Sequence, residues 1–328
     1  MISEEDQIMM DTLYWWGIPT LFRCKNDPDP KNCDIALVGV PHSTGNGTTE
    51  RDQHLGPRAV RNISAMLRRS HFDYKIDPWK MKKIHDLGDV PFPEANNNEK
   101  CIERISDFYD QIEKAEKPVV SIGGDHSITG GIVQSLAKKN SKLTKGKKIS
   151  FLHFDAHTDC YEKLDHFLGA KKSAAHWASY LVKQGNVDPK TSTQIGIRGN
   201  PRTLDWLQAS YDIGYQVITM DEYKELGHEK CSKMILDRLG DNPIYVTFDL
   251  DCLDTTVAPG TANLEPAFRG FNIDEVRKLI QSLKGKNVIG GDVACLMPTK
   301  DNPNNITSMV AASIMFEIIC LISINLNK

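Results

Sequence analysis

The chain has 328 residues, with 40 basic and 43 acidic side chains giving a formal net charge of −3, and it is 40% hydrophobic and 25% charged. This is the composition of an ordinary folded globular chain. With charge nearly balanced and no long run of either sign, nothing points to a nucleic-acid surface or a polybasic membrane patch.

In chain order, the N-terminal MISEEDQIMM is acidic and lacks the basic-then-apolar order of a secretory leader. Apolar, β-rich runs then occupy residues 34–40, 83–90, 118–124 and 148–154, and four more occupy 193–199, 215–220, 244–251 and 287–293. Amphipathic stretches of helical length separate them, among them GPRAVRNISAMLRR, CIERISDFYDQIEK and NIDEVRKLIQSL. Such alternation is the signature of a parallel sheet covered by helices, either closed as a barrel or left open. Pro/Asn-rich stretches at 26–32, 91–98 and 298–305 are expected as surface loops, and the lysine-rich run 142–148 as a solvated one. With no linker or repeat, residues 1–328 are expected to form one domain. The last apolar stretch, 308–326, carries Glu317 at its middle and is expected as a buried helix, against the sheet or at a subunit contact. Eight cysteines without a CxxC pair are expected as reduced thiols in a soluble, cytoplasmic protein.

Three strand ends carry the chemistry. SIGGDHS places His126 after an apolar run, HFDAHTD places Asp155, His157 and Asp159 after another, and TFDLD places Asp249 and Asp251 after a third. Chemistry in parallel α/β sheets collects at the C-terminal strand ends. Residues two apart on extended backbone share a face, so each acidic set converges. Taken singly, GGDH is a glycine turn with a capping aspartate, and DxHxD is a solvated loop. Taken together, four aspartates in one place would repel unless cations intervene. Two divalent ions balance them, and the two histidines favour Mn(II), Zn(II), Ni(II) or Fe(II) over calcium.

SIGGDHS, HFDAHTD and TFDLDCLD followed by APGT, in this order and preceded by IALVGVP and LGPRAVRNIS, resemble the signatures of the ureohydrolases. That family contains arginases, agmatinases and guanidino-acid hydrolases, and the resemblance spans nearly the whole chain. It implies a three-layer α/β/α fold with a mainly parallel sheet of about eight strands. It also implies two Mn(II) per subunit, with Ni(II) the alternative, and a homotrimer or homohexamer. His126 and Asp159 would bind one ion, His157 and Asp251 the other, and Asp155 and Asp249 both. A water activated between the ions would attack the guanidinium carbon and release urea.

The resemblance further implies His176 as the proton shuttle, although Trp177 stands where the family has glycine. Glu275 is implied as the guanidinium-contacting carboxylate, with Glu265 a second choice outside the matching stretch. Tyr161 replaces the asparagine with which arginases hold an amino-acid head, which points to agmatine or an ω-guanidino acid such as guanidinobutyrate or guanidinopropionate. Arg51 would pair with the carboxylate of such an acid, whereas Glu50 and Asp52 beside it would suit agmatine. The alternatives are an arginase, a guanidine hydrolase, a one-zinc deacetylase of similar fold and a pseudoenzyme of the same fold.

Overall fold

All eight apolar runs form strands, because each alternates between two faces that are both covered. The computed structural model describes residues 3–6, 13–47, 50–166, 169–201, 203–265 and 269–326. The strands are β1 (Lys25–Asn26), β2 (Ile35–Val40), β3 (Ile84–Asp89), β4 (Val119–Gly123) and β5 (Ser150–Phe154). They continue with β6 (Thr193–Ile197), β7 (Gln216–Thr219), β8 (Ile244–Asp249) and β9 (Val288–Ala294). They pair in the order β1-β3-β2-β4-β9-β8-β5-β6-β7, and every pair is parallel. The sheet is therefore open, with β1 and β7 as its edges, and the barrel is ruled out. It has nine strands, against about eight expected: β1 is two exposed polar residues with no pattern to read.

Period-two alternation builds the three layers. Ile35 and Leu37, Leu152 and Phe154, and Val246 and Phe248 face one core, while Ala36 and Val38, Phe151, and Tyr245 face the other. The first core is closed by helices Gly56–Ser64, His228–Leu239, Ile273–Gln281 and Ile306–Asn325. The second is closed by Asn98–Lys114, Ile128–Leu136 and Trp177–Lys183. Each fully buried Ile, Leu or Phe contributes roughly 1.5–3 kcal/mol, set against the entropy of ordering the chain.

The helix Ile306–Asn325 is long and apolar enough to cross a membrane, yet 78% of its most apolar window is buried inside the fold. It lies against β9, β4 and β2, which is the sheet-packed placement expected for it. Glu317 is tolerated there because His71 Nε2 (3.0 Å), Arg277 Nε (2.8 Å) and Gln281 Nε2 (3.2 Å) all donate to its carboxylate. The four strands β4, β9, β8 and β5 run side by side at the centre of the sheet, so their C-terminal ends open onto one crevice.

Candidate metal centre

The turn after β4 is shaped by Gly124, where a Cβ would sit 1.6 Å from the carbonyl oxygen of His42. Only glycine lets the chain pass. Asp125, next in line, turns away from the centre. Its carboxylate accepts from Ser127 N (3.0 Å), Ser127 Oγ (2.5 Å) and Gly45 N (2.8 Å), and so ties the segment after β2 to this turn. His126 follows, fully buried. Its Nδ1 lies 2.9 Å from Asp155 Oδ2, 3.1 Å from Asp159 Oδ2 and 3.2 Å from Asp249 Oδ2.

A second group forms around His157, whose Nδ1 lies 3.3 Å from Asp155 Oδ1 and 3.2 Å from Asp251 Oδ2. Asp155 thus offers one oxygen to each group, and would serve as a carboxylate shared between two ions. Asp249 was expected to bridge as well. It reaches the first group through Oδ2, while its Oδ1 accepts from the backbone N–H of Asp251 at 2.9 Å. The local backbone is bent to serve the cluster: Asp159 has φ 50°, a left-handed conformation costing a non-glycine residue about 1 kcal/mol or more.

The electrostatics state what is missing. Burial acts to lower the pKa of His126, but its contacts with Asp155, Asp159 and Asp249 hold it well above the ordinary histidine value. His157 is likewise held well above that value, against burial, by Asp251 and Asp155. Burial and then the neighbouring carboxylates push Asp159 and Asp251 up. Asp155 is held well below the usual carboxylate range, against burial, by His126, His153 and His157. With no cation, the cluster keeps its carboxylates together only by taking up protons. His126 Nδ1 is moreover a buried polar atom without a well-formed hydrogen bond. A divalent ion satisfies both conditions, and the imidazole–carboxylate donor sets His126, His153, Asp155, Asp159 and Asp155, His157, Asp251 fit a transition metal.

Two residues to which the sequence reading gave no role, His153 and Trp177, and one that it ranked second, Glu265, complete the centre. His153 Nε2 donates to Asp155 Oδ2 (2.8 Å), because Gln194 Nε2 donates to His153 Nδ1 (3.1 Å) and leaves the proton on the other nitrogen. It stands two residues before Asp155, so the period-two rule carried one step back would have found it. Trp177 donates its indole N–H to Asp159 Oδ2 at 2.6 Å and packs its ring 4.9 Å from that of His126. Glycine at this position could make neither contact. Glu265 places Oε1 2.7 Å from His157 Nε2, a contact that holds its own pKa low.

Two expectations are corrected. Glu275 is not in the crevice. It closes a capping box with Asn272 at the start of helix Ile273–Gln281 and pairs with Lys224 at 2.6 Å, so the carboxylate beside the metal cluster is Glu265. His176, as placed, has no nitrogen to spare for a shuttled proton: Nδ1 meets Ser173 Oγ at 2.7 Å and Nε2 donates to the carbonyl of Leu164 at 2.8 Å. Tyr161 lies close enough to His157 to feel its charge, with its hydroxyl 3.4 Å from the Thr158 N–H. Arg51 lies between Glu50, which pairs with Lys300, and Asp52, which accepts from Thr299 Oγ1 at 2.8 Å.

An open parallel sheet with an Asp/His cluster built for two ions at its central strand ends defines a metal-dependent hydrolase. Residues 33–321 match the sequence model of the arginase family, and the chain belongs to that family. It is 33% identical over 309 residues to a guanidinopropionase of Pseudomonas aeruginosa, covering 94% of this chain and 92% of that one. It is also 33% identical to a human mitochondrial guanidino acid hydrolase, covering 93% of this chain and 82% of that one. Among solved structures, a proclavaminate amidino hydrolase of Streptomyces clavuligerus superposes with a TM-score of 0.85 at 27% identity, covering 95% of this chain and 99% of that one. The protein is a hydrolase of guanidino compounds with a binuclear-metal site.

Proposed function

We propose that this ureohydrolase, a single domain over residues 1–328, releases urea from an ω-guanidino acid such as guanidinopropionate or guanidinobutyrate, with agmatine the second choice. The observation that carries the core of this reading is the split carboxylate of Asp155, one oxygen beside each histidine. His126, Asp159 and Asp249 would hold one ion and His157 and Asp251 the other, with Asp155 shared between them. Manganese suits the mixed imidazole–carboxylate set, with nickel the alternative. Two such ions supply a water of lowered pKa and stabilise the charge that develops at the guanidinium carbon.

The protein's own groups do the rest. Glu265, half-buried and kept ionised beside His157, offers a carboxylate to the planar N–H edge of a guanidinium. The bond from Gly45 N–H to Asp125 ties the segment after β2 to the turn that carries His126. Tyr161 lacks the amide that an amino-acid head requires, and burying such a charged head unpaired costs about 1–3 kcal/mol per group or more. The similarity to a guanidinopropionase and a guanidino acid hydrolase supports an acid as substrate, and Arg51 would meet its carboxylate.

The test is a urea-release comparison of kcat/KM over guanidinopropionate, guanidinobutyrate, agmatine, arginine and guanidine, with Mn(II) and with Ni(II). An ω-guanidino acid should lead, and arginine should trail by roughly tenfold to hundredfold. Arg51→Ala should raise KM for the acid and leave agmatine unchanged. Arginine as the best substrate would sink the substrate assignment and leave the metal centre standing. Eight free, buried cysteines support a reducing, cytoplasmic setting, and light scattering on the purified protein tests the homotrimer or homohexamer.

A further inference from the structure

Behind His126, on the side away from the carboxylates, lies a second polar cluster in which no role has yet been assigned. Asp292 of β9 stands in register opposite Thr247 of β8, and both are fully buried. Asp292 Oδ1 accepts from Thr247 Oγ1 at 2.8 Å, and Oδ2 accepts from Tyr245 Oη at 2.8 Å and Thr129 Oγ1 at 3.0 Å. No lysine or arginine pairs with this carboxylate among the described residues. Among the described residues, the one side-chain hydrogen bond leading out of the cluster is Thr247 Oγ1 to His126 Nε2, at 2.8 Å.

Resting on the reading of the crevice as a metal centre, we propose that Asp292, acting through Thr247, is a positioning residue that fixes His126 with its Nδ1 lone pair toward the metal. The argument is one of proton counting. A threonine hydroxyl has a single proton. Thr247 gives that proton to Asp292, since otherwise a buried carboxylate oxygen would lose its donor, at about 1–3 kcal/mol or more. The Thr247 oxygen can then only accept, so His126 Nε2 must carry the N–H. Neutral His126 is thereby left with its lone pair on Nδ1, the atom that faces Asp155, Asp159 and Asp249. A carboxylate–hydroxyl–imidazole chain sets both the tautomer and the ring orientation, as outer partners of metal-binding histidines do. Tying β8, β9 and helix Ile128–Leu136 together would need Asp292 and its three hydroxyls, but not the link to His126.

Thr247→Val removes the hydroxyl at nearly constant volume and frees the ring. With Mn(II) titrated calorimetrically into metal-free protein, the wild type should bind two ions. Thr247→Val should bind one of them about 10–100-fold more weakly with the other unchanged, and Thr247→Ser should restore both. A merely structural role would lower Tm and leave both affinities as in the wild type, and that result overturns the proposal. A wild type that binds no pair of ions would instead overturn the metal centre itself. Should Thr247→Val fail to fold, Zn(II)-loaded wild type labelled with ¹⁵N-histidine decides. The proposal expects His126 joined to zinc through Nδ1, with an exchange-protected proton on Nε2; zinc on Nε2 refutes it.

Discussion

Asp155 is the residue on which the two halves of the centre meet, and its neighbours differ in what they contribute. Asp249 adds a charge to the His126 group, so Asp249→Asn should leave the site too positive for a full complement of ions. We expect a loss of turnover of at least about a hundredfold, with fewer than two Mn(II) per chain by elemental analysis. Retention of both metals and of near-normal turnover would remove Asp249 from the site. The two glutamates make a sharper pair. Glu265→Gln should lower kcat/KM strongly because it withdraws a charge beside His157. Glu275→Ala should leave kcat/KM unchanged and cost about 0.5–1 kcal/mol of stability, since it loses its part of the capping box and a solvent-screened pair with Lys224 that contributes little. The opposite ranking in kinetics would restore Glu275 to the catalytic role expected from its sequence context. That expectation failed for a physical reason. A carboxylate three residues after an N-cap asparagine serves the helix start equally well, and one sequence does not tell the two uses apart.

At the scale of elements, the eight longer strands were legible because each carries an unbroken apolar run, and the metal-binding candidates because extended backbone puts alternate residues on one face. Lys25–Asn26 was not legible, having neither length nor pattern. The partners of Trp177 and His176 were not legible either. Asp159 and Leu164 lie 18 and 12 residues away and reach them through tertiary packing, which no spacing rule encodes, whereas Ser173 is a local partner three residues before His176. The helix Ile306–Asn325 shows the same division. Its burial follows from composition, whereas the fit of Glu317 depends on His71 and Arg277, which lie 246 and 40 residues away in sequence. Glu317→Ala should leave that histidine and that guanidinium facing a cavity and destabilise the fold by roughly 3–5 kcal/mol, the usual cost of breaking a buried ion pair. The helix packs beneath the sheet, so turnover per folded molecule should not change. Chemical denaturation gives the first quantity and active-fraction kinetics the second. A shift below about 1 kcal/mol would mean that water replaces the carboxylate.

For the molecule as a whole, folding brings together groups that hold protons until ions displace them. Without metal, His126 and His157 are held well above the usual histidine value of about 6.5, and Asp159 and Asp251 above the usual carboxylate range. A group whose folded pKa is raised stabilises the fold fully below its unfolded pKa and loses that contribution as pH rises through the folded pKa. The metal-free protein should therefore lose stability as pH rises above about 6.5, where the histidine contribution begins to fall. Asp155, whose pKa is held low, stays ionised in this range and contributes no slope. Ion binding expels the same protons, so apparent metal affinity rises over the same interval. Both trends act in one direction on the difference between the two forms. The gap in Tm between Mn(II)-loaded and chelator-treated protein should widen steadily from about pH 6 to about pH 8.5, because bound ligand stabilises the fold in proportion to the logarithm of its affinity. Thermal scans at fixed free Mn(II) measure it, and activity at the same free Mn(II) should climb with the gap as the ionised water accumulates. A gap that stays constant across this range would show that the histidines and aspartates give up no protons to the ions, and would separate the cluster from the metal.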